Sequence, residues 1–308
     1  MVAAHPALVS VVIPAYNAES TIAAQLDALA AQQTDVPFEV LVCDNGSTDA
    51  TRSVALSYAA SIPRLRVVDA SARRGPAAAR NIGVSQAAAE RVLFCDADDI
   101  VEAGWVKAMS DALGVADLVA GALDGRSLNT GNRASVSWEV SADIRMPFWT
   151  RFGAGASSNL AVRRSVFLEV DGFDERLQTG EDVDFCWRVQ LAGHSFARCP
   201  SAVVRSRQRD GRRAVFRQAY SYGAGTRALR LKYARYVDAD DGRAPEPDRI
   251  VGPASPIPAA PAEERRSALR RIARLFTATG QANAAWRLGE WLGSRWGTVD
   301  PAITPLHP

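Results

Sequence analysis

Two aspartates separated by one residue, Asp96 and Asp98, directly follow the apolar segment RVLFC. If the chain turns at the end of that segment, both carboxylates can face the same small volume. Carboxylate oxygens are ligands that Mg²⁺ and Mn²⁺ prefer, and a cation held there can act as a Lewis acid on a phosphate group. The spacing therefore predicts a divalent-cation site, with an ordinary surface turn as the alternative. An EF-hand is excluded, because the glycine and glutamate that it requires do not follow.

A second polar segment, DNGS, begins at Asp44 after the apolar run FEVLVC. Asp44 can accept a hydrogen bond from the N–H of a nucleobase edge, or it can serve with Ser47 only to build the turn and cap the next helix. The two roles are compatible. Arg80, in a later helical segment, can face phosphates or solvent. The other candidates for contact with a nucleotide follow the first apolar run and are Pro14, Ala15, Tyr16 and Asn17.

Three acidic residues, Glu181, Asp182 and Asp184, stand within four positions directly after Gly180. Acids in the first turn of a helix are stabilised by the helix dipole, so helix capping is one interpretation. Acids this close together also raise one another's pKa, which brings a carboxylate toward the range that suits a general base. The residues alone leave both interpretations open.

The elements that must position these residues alternate along the first 120 residues. Apolar runs predict strands over residues 9–13, 38–43, 65–68 and 91–95, and alanine-rich segments predict helices over residues 19–31, 48–60 and 76–88. Apolar strands between helices imply a parallel sheet that is covered on both faces. Ligands of such sheets bind beyond the carboxyl ends of the strands, which here carry PAYN, DNGS and DADD. We therefore expect these polar segments to meet at one edge of the sheet.

The rest of the chain predicts mixed strands and helices followed by a helical extension. Helices are expected over residues 182–192, 214–236 and 263–296, the last with a break near Gly280, and residues 238–262 are rich in Pro, Asp and Ala. We therefore predict a domain over residues 1–236, a linker over residues 237–262 and a basic helical extension over residues 263–308.

Charge is distributed unevenly along the 308 residues, although the net charge is only +2. Residues 1–204 contain 17 basic and 24 acidic side chains, whereas residues 205–308 contain 19 and 10. A basic C-terminal third indicates either an anionic partner, such as a membrane surface or a lipid phosphate, or a solvated helix face. Its arginine-rich helical segment is followed by apolar residues that suit a membrane interface, namely Trp286, Trp291, Leu292 and Trp296.

Several classes of protein are excluded by what the sequence lacks. The four cysteines stand far apart without a CxxC pair, which argues against zinc and disulfides and favours a reducing compartment. No run of about 18 uncharged apolar residues predicts a spanning helix, and the N-terminal segment resembles a first strand rather than a signal peptide. The dinucleotide-binding GxGxxG, the P-loop and the GxSxG elbow are absent, and no motif supports nucleic-acid binding.

Five motifs occur in the order and spacing found in family 2 glycosyltransferases, and the resemblance spans roughly residues 8 to 205. VSVVIPAYN resembles that family's opening strand and loop, and FEVLVCDNGSTDAT resembles its nucleotide-binding segment. GPAAARNIGVSQA resembles its third helix and VLFCDADD its DxD motif. The segment from SSNLAVRR to the acids at Glu181 and Asp182 resembles its acceptor side.

The resemblance implies an α/β GT-A fold, with a mixed, mostly parallel sheet, and sugar transfer with inversion by single displacement. By position, it implies that Asp44 binds the base and Asp96 the ribose. It further implies that Asp98 holds Mg²⁺ or Mn²⁺ and that Asp182 deprotonates the acceptor hydroxyl. Ala97 is expected to contribute to nucleotide-sugar binding, and Asp99, Glu181 and Arg205 are expected to have supporting roles.

Two departures from the family pattern refine this expectation. A QxxRW motif, usual in members that make long polymers, does not follow the acidic helix, which favours transfer of a single sugar. Many metal-dependent members place a histidine where this chain has the segment VVRSR. Arg205 can therefore contact the diphosphate directly, or dependence on the metal can be weaker than usual.

The leading hypothesis is a cytoplasmic glycosyltransferase of cell-envelope or polysaccharide synthesis that contacts the inner face of the membrane through its C-terminal third. Its donor is expected to be a UDP, GDP or dTDP sugar, and its acceptor a hydroxyl on a lipid-linked molecule or a glycan. The alternative for the C-terminal third is a helix packed on the domain. A non-catalytic nucleotide-sugar binder or assembly subunit is the alternative function, and a nucleotidyltransferase is disfavoured because its glycine-rich, lysine-bearing loop is absent.

Overall fold

The computed structural model describes residues 8–129, 144–240, 249–250 and 278–306. Within these residues the chain forms one mixed sheet and a small separate hairpin. The strands are β1 (Val9–Ala15), β2 (Phe38–Asp44), β3 (Leu65–Asp69), β4 (Arg91–Cys95), β5 (Ile100–Val101), β6 (Leu118–Asp124), β7 (Ile144–Met146), β8 (Trp149–Ala154), β9 (Asn159–Arg163), β10 (Phe196–Arg205) and β11 (Arg249–Ile250).

The helices of the described residues cover both faces of the sheet and extend beyond it. Two of them start later than the sequence predicts, because residues 16–21 and 48–50 form turns that bind each other. The Ala50 N–H, for example, donates a hydrogen bond to Glu19 Oε2 at 2.8 Å. The helices are α1 (Ile22–Ala30), α2 (Thr51–Ser57), α3 (Pro76–Gln86), α4 (Trp105–Ala112), α5 (Arg164–Glu169), α6 (Glu181–Leu191), α7 (Arg212–Lys232), α8 (Ala234–Ala239) and α9 (Ala278–Trp296).

The nine-stranded sheet has the order β11-β10-β6-β9-β4-β1-β2-β3, with β5 paired to β10. Strands β1 to β4 are parallel, as their continuous apolar sequences predict, and β1 lies between β2 and β4. Strand β9 runs antiparallel to both of its neighbours, β4 and β6. The sheet is thus mixed and mostly parallel, which confirms the expected fold class.

Alternate residues of the central strands pack into two separate hydrophobic clusters, because successive side chains of a strand point to opposite faces. One cluster includes Val11 of β1 and the fully buried Trp105 of α4. The other includes Val12 and a group of aromatic rings under α5 and α6, in which Phe173 lies 5.4 Å from Phe94 and 4.7 Å from Phe185 between centroids. Burial of each large side chain contributes about 1.5–3 kcal/mol, so these clusters hold the helices on the sheet.

The C-terminal part is described only in pieces. Gly280 is the third residue of helix α9, and the residues directly before Ala278 lie outside the described residues, so the predicted break near Gly280 stays a prediction. Within the predicted linker, residues 241–248 and 251–262 lie outside the described residues. The described part of the linker includes the end of α8 and the strand β11, which pairs with β10. Residues 263–277 of the predicted extension also lie outside the described residues. No helix among those described is long and apolar enough to cross a membrane.

A fully buried carboxylate, Asp184, joins α6 to the end of α7. Its Oδ1 lies 2.6 Å from Lys232 Nζ and accepts a hydrogen bond from the Tyr233 hydroxyl at 2.8 Å. Its Oδ2 accepts from Arg188 Nε at 2.8 Å, and Lys232 also contacts Asp174 at 2.7 Å. Because buried charges are costly unless paired, this network fixes how the first turn of α6 sits against the rest of the domain.

Asp184→Asn should lower the free energy of unfolding by about 3–5 kcal/mol, because it leaves buried cations without their shared counter-charge. Urea unfolding measures the loss. The matched control is Asp111→Asn, which breaks an exposed pair with Lys107 at the same i,i+4 spacing and should change stability little, because solvent screens that pair. Equal effects of the two substitutions would contradict the structural role of Asp184.

Candidate active site

The carboxyl ends of β1, β2 and β4 lie side by side, because β1 pairs with both of the other strands. Ala15 is in register with Asp44, and its carbonyl accepts a hydrogen bond from the Asn45 N–H at 2.8 Å. The polar segments PAYN, DNGS and DADD that follow these strands therefore emerge at one edge of the sheet, as their position along the chain predicts.

The loops after β1 and β2 bind each other and leave an aromatic ring at the rim. Asn17 adopts a left-handed backbone conformation (φ 49°), and its Oδ1 accepts a hydrogen bond from the Thr48 N–H at 2.8 Å. Asp44 is buried, and its Oδ1 accepts from the Ser47 N–H at 3.0 Å. Asp44 thus has the turn-building role considered in the sequence, while Tyr16 remains 59% exposed and able to pack against a ligand.

Arg80 of α3 lies buried between the acids of β4 and those of α6. Its Nη2 is 2.5 Å from Asp96 Oδ1, and its Nη1 is 3.5 Å from Glu181 Oε1. Its guanidinium carbon stands 5.8 Å from the centroid of the Phe173 ring. Arg80 therefore does not face solvent, and it links the DxD segment to the acidic helix.

The DxD segment itself is a compact, negatively charged loop. Ala97 and Asp99 are buried. Burial and the neighbouring charge of Asp96 raise the pKa of Asp98, and the same two causes, with the charge of Asp98, raise the pKa of Asp99 well above its usual value. Ionisation of both carboxyls therefore costs free energy, and a nearby cation would lower that cost.

The segment after β10 crosses this acidic loop and supplies positive charge. The Arg207 N–H donates to Asp99 Oδ1 at 2.8 Å, and Arg207 Nε donates to the Asp98 carbonyl at 3.2 Å. The charges of Arg209 and Arg207 partly offset the rise in the pKa of Asp98. Neither arginine is among the site residues predicted from the sequence, although the basic run after β10 was a signal for them.

Arg205, which the sequence places near the diphosphate, contacts a different partner in the structure. Its Nε lies 2.7 Å from Glu102 Oε1. The contact of Arg205 with a diphosphate stays a prediction, and Arg207 is the arginine of this segment that touches the DxD loop.

The first turn of α6 brings Glu181 and Asp182 to the Arg80 side of the site, after a left-handed glycine at position 180 (φ 81°). Asp182 Oδ1 accepts a hydrogen bond from the Val183 N–H at 2.8 Å, and its Oδ2 accepts from the Ser157 N–H at 3.3 Å. Burial raises the pKa of Asp182, while burial and the charge of Asp182 raise that of Glu181. A carboxylate with a raised pKa is a stronger base, which suits proton abstraction.

The residues present fit a divalent cation with few protein ligands. The described part of the chain contains no cluster of three or more His, Cys, Asp or Glu side chains arranged to hold a metal. Magnesium is often held by one or two carboxylates together with substrate phosphates and water, however. One oxygen of Asp96 is engaged by Arg80, so Asp98 is the principal candidate ligand.

Comparison with known sequences identifies relatives along most of the chain. Residues 10–170 match the family described as "Glycosyl transferase family 2", and residues 130–287 match "Glycosyl transferase family group 2". "Glycosyltransferase AglE" of Haloferax volcanii is 31% identical over 61% of this chain and 62% of its own length. A beta-1,3-glucosyltransferase of Escherichia coli, WfgD, whose name gives "UDP-Glc:alpha-D-GlcNAc-diphosphoundecaprenol", is 39% identical over 30% of this chain and 36% of its own length. The chain thus spans less than two thirds of either curated relative.

Comparison with solved structures identifies the fold. The mannosyltransferase PcManGT from Pyrobaculum calidifontis, solved with GDP-Man and Mn²⁺, superposes with a TM-score of 0.57. The alignment covers 79% of this chain and 67% of that chain at 23% identity. At this identity the likeness concerns the fold, and it confirms the expected GT-A architecture.

Arg80→Gln should raise the pKa of Asp182 further, because the substitution removes a positive charge that favours the ionised carboxylate. Carbon-13 NMR of aspartate-labelled protein measures this pKa, and Arg80→Lys, which keeps the charge, should shift it less. Arg66→Gln is the control, because Arg66 pairs with Glu39 at 2.9 Å instead. An unchanged or lower Asp182 pKa in folded Arg80→Gln would contradict this account of the site.

Proposed function

The chain belongs to glycosyl transferase family 2, and on that basis we propose that it transfers a single sugar from a nucleoside-diphosphate sugar to an acceptor hydroxyl, with inversion at the anomeric carbon. The observation that carries this proposal is the Arg80 bridge, which holds the acids of a sheet-edge loop beside those of a helix. A donor site and a base for the acceptor need that proximity, because the sugar must lie between them.

In the proposed donor site, the nucleoside lies at the carboxyl ends of β1 and β2. Asp44 accepts a hydrogen bond from the base, Tyr16 packs beside it, and backbone groups of residues 14–17 line it. Asp96 accepts from the ribose. Asp98 holds Mg²⁺ or Mn²⁺ against the diphosphate, and the cation supplies Lewis-acid charge when bound. The positive charges of Arg207 and Arg209 near Asp98 favour the same placement of the phosphates.

The proposed transfer is a single displacement. The acceptor oxygen attacks the anomeric carbon, and its proton passes to the carboxylate of Asp182. The bond from the anomeric carbon to the β-phosphate oxygen breaks, and its electron pair leaves with the nucleoside diphosphate. Since the base must be ionised, the raised pKa of Asp182 means that turnover declines on acidification at a higher pH than for an ordinary aspartate.

The donor is proposed to be a UDP, GDP or dTDP sugar with Mg²⁺ or Mn²⁺. The structural neighbour PcManGT was solved with GDP-Man and Mn²⁺, which supports this class of donor. The missing QxxRW motif favours single-sugar transfer. A thermal-shift screen of UDP, GDP and dTDP with each cation tests donor binding, since a specific ligand raises the melting temperature.

Asp98→Asn and Asp182→Asn should each lower turnover at least about a hundredfold, but for different reasons. Asp98→Asn should abolish the cation-dependent part of the thermal shift by the nucleotide. Asp182→Asn should keep that shift and lose kcat, because it removes only the base. Asp111→Asn, an exposed surface substitution, is the control. Near-normal turnover of Asp182→Asn would remove it as the base, and nucleotide binding without turnover in the unmodified chain would favour a non-catalytic binder.

The acceptor is proposed to be lipid-linked and reached at the inner face of a membrane. Helix α9 exposes three large apolar side chains, Leu288 (52%), Trp291 (51%) and Trp296 (59%). Arg295 stands within 6 Å of both tryptophan rings, at 5.7 and 5.9 Å. Exposed tryptophans beside arginine suit a helix that lies in the headgroup layer of anionic lipids. The name of the relative WfgD gives a diphosphoundecaprenol-linked substrate, which is consistent with such an acceptor.

A second basic feature is a cleft near the start of α9. It has a volume of about 810 Å³ and is lined by Arg212, Arg213, Arg217 and Gln281 together with Asp210. Arg212 Nη1 donates to Gln281 Oε1 at 2.8 Å, which joins the first turn of α7 to α9. Phosphate groups of lipids are a suitable partner for three arginines in one cleft.

The double substitution Trp291→Ala and Trp296→Ala should remove most of the binding to vesicles of phosphatidylglycerol and phosphatidylcholine in a flotation assay. Binding of the unmodified chain should fall with added salt, because salt screens the arginines. Leu56→Ala with Leu168→Ala, two exposed apolar residues on other helices, is the control. Equal flotation of all three proteins would end the membrane proposal.

A further inference from the structure

Helices α7 and α9 are parallel and touch along their backbones. A Cβ atom at Gly293 would overlap the Tyr220 carbonyl oxygen, and one at Gly223 would overlap the Glu290 carbonyl oxygen. Gly289 packs in the same way against the Phe216 carbonyl. Because only glycine permits this approach, α9 has one defined position on α7.

The middle of α7 packs in turn on the loop that precedes the acidic helix α6. Thr179 Oγ1 donates a hydrogen bond to the Ser221 carbonyl at 2.6 Å. A Cβ atom at Gly225 would lie 2.5 Å from the Thr179 carbonyl oxygen, so the two backbones are in contact there. The turn of α7 between residues 221 and 225 is therefore fixed beside Glu181 and Asp182, which follow Thr179 by two and three residues.

Two aromatic rings meet at this turn, one from each helix. Tyr222 of α7 and Trp286 of α9 are in edge-to-face contact, with centroids 5.5 Å apart and an interplanar angle of 85°. Tyr222 is 41% exposed, and Trp286 is half-buried. Burial and then the negative charge of Asp182 raise the pKa of Tyr222, which keeps its hydroxyl protonated.

We propose that Tyr222 and Trp286 form the wall of an acceptor subsite that binds a saccharide ring beside Asp182. The inference rests on the proposed function, because it names the chemical class of the acceptor at the same site. Aromatic walls with a few polar groups are typical of small-molecule sites. The flat C–H face of a sugar packs on a partly exposed aromatic ring, which both side chains provide.

In this proposal, the close contact between α7 and α9 positions Trp286 at the acceptor subsite. Trp286 belongs to α9, far along the chain from the acids, and it reaches Tyr222 only because the glycines let α9 lie against α7. A wall with one fixed geometry can present the acceptor hydroxyl to Asp182 in one orientation, which is what single displacement requires.

The test uses the full chain and a sugar nucleotide as donor, built on the nucleotide that raises the melting temperature in the thermal-shift screen. The acceptor probes are soluble octyl glycosides of glucose, galactose and N-acetylglucosamine. At least one glycoside should bind in saturation-transfer NMR and increase the release of nucleoside diphosphate, whereas octyl glycerol should not. Trp286→Ala and Tyr222→Ala should raise the KM for that glycoside about tenfold and leave the KM for the donor unchanged. Tyr222→Phe, which keeps the ring, should have a smaller effect.

Leu231→Ala is the matched control, because Leu231 is an exposed side chain further along the same helix (44%). The inference is overturned if no glycoside binds or if octyl glycerol binds equally well. It is also overturned if the two alanine variants leave the glycoside KM unchanged or raise the donor KM to the same extent. Failure of the proposed function would differ from these outcomes, since then no donor would be consumed, whether or not a nucleotide shifts the melting temperature.

Discussion

The buried guanidinium of Arg80 is the interaction on which the candidate site depends. Carboxylates from a sheet-edge loop and from a helix repel one another when they approach, and burial increases that cost. Arg80 offsets the repulsion by contacting Asp96 on one side and Glu181 on the other. It can reach both because α3 lies very close to the sheet, where Gly83 leaves no room for a Cβ against Val12. A small residue in the core thus allows a charged one to organise the site.

One guanidinium does not neutralise all the acids that gather around it. The raised pKa values of Asp98, Asp99, Glu181 and Asp182 show that negative charge remains costly after Arg80 has paired. Such a site favours the entry of a cation at the DxD loop, and it favours protonation elsewhere. The excess of negative charge therefore serves two needs of the proposed reaction. It favours the cation that neutralises the departing diphosphate, and it makes a carboxylate basic enough to accept a proton.

Helix α7 contacts both the acidic helix α6 and the C-terminal helix α9. Through the buried Asp184–Lys232 pair and the Thr179–Ser221 hydrogen bond, α7 is fixed to the acidic helix. Through its glycines it is fixed to α9, whose outer face carries exposed tryptophans. Contacts along this path connect the proposed base, the aromatic pair and the proposed membrane surface.

The sequence by itself determined the strands β1 to β4, the helices between them and the polar segments at the strand ends, because strand, helix and turn preferences act between near neighbours along the chain. It left Arg80 undecided between phosphates and solvent, and it did not assign Arg207, which touches the acidic loop. Only the tertiary structure decided these points. The partners of Arg80, Arg207 and α9 come from distant segments, and long-range contacts and burial, not local propensity, set which groups meet.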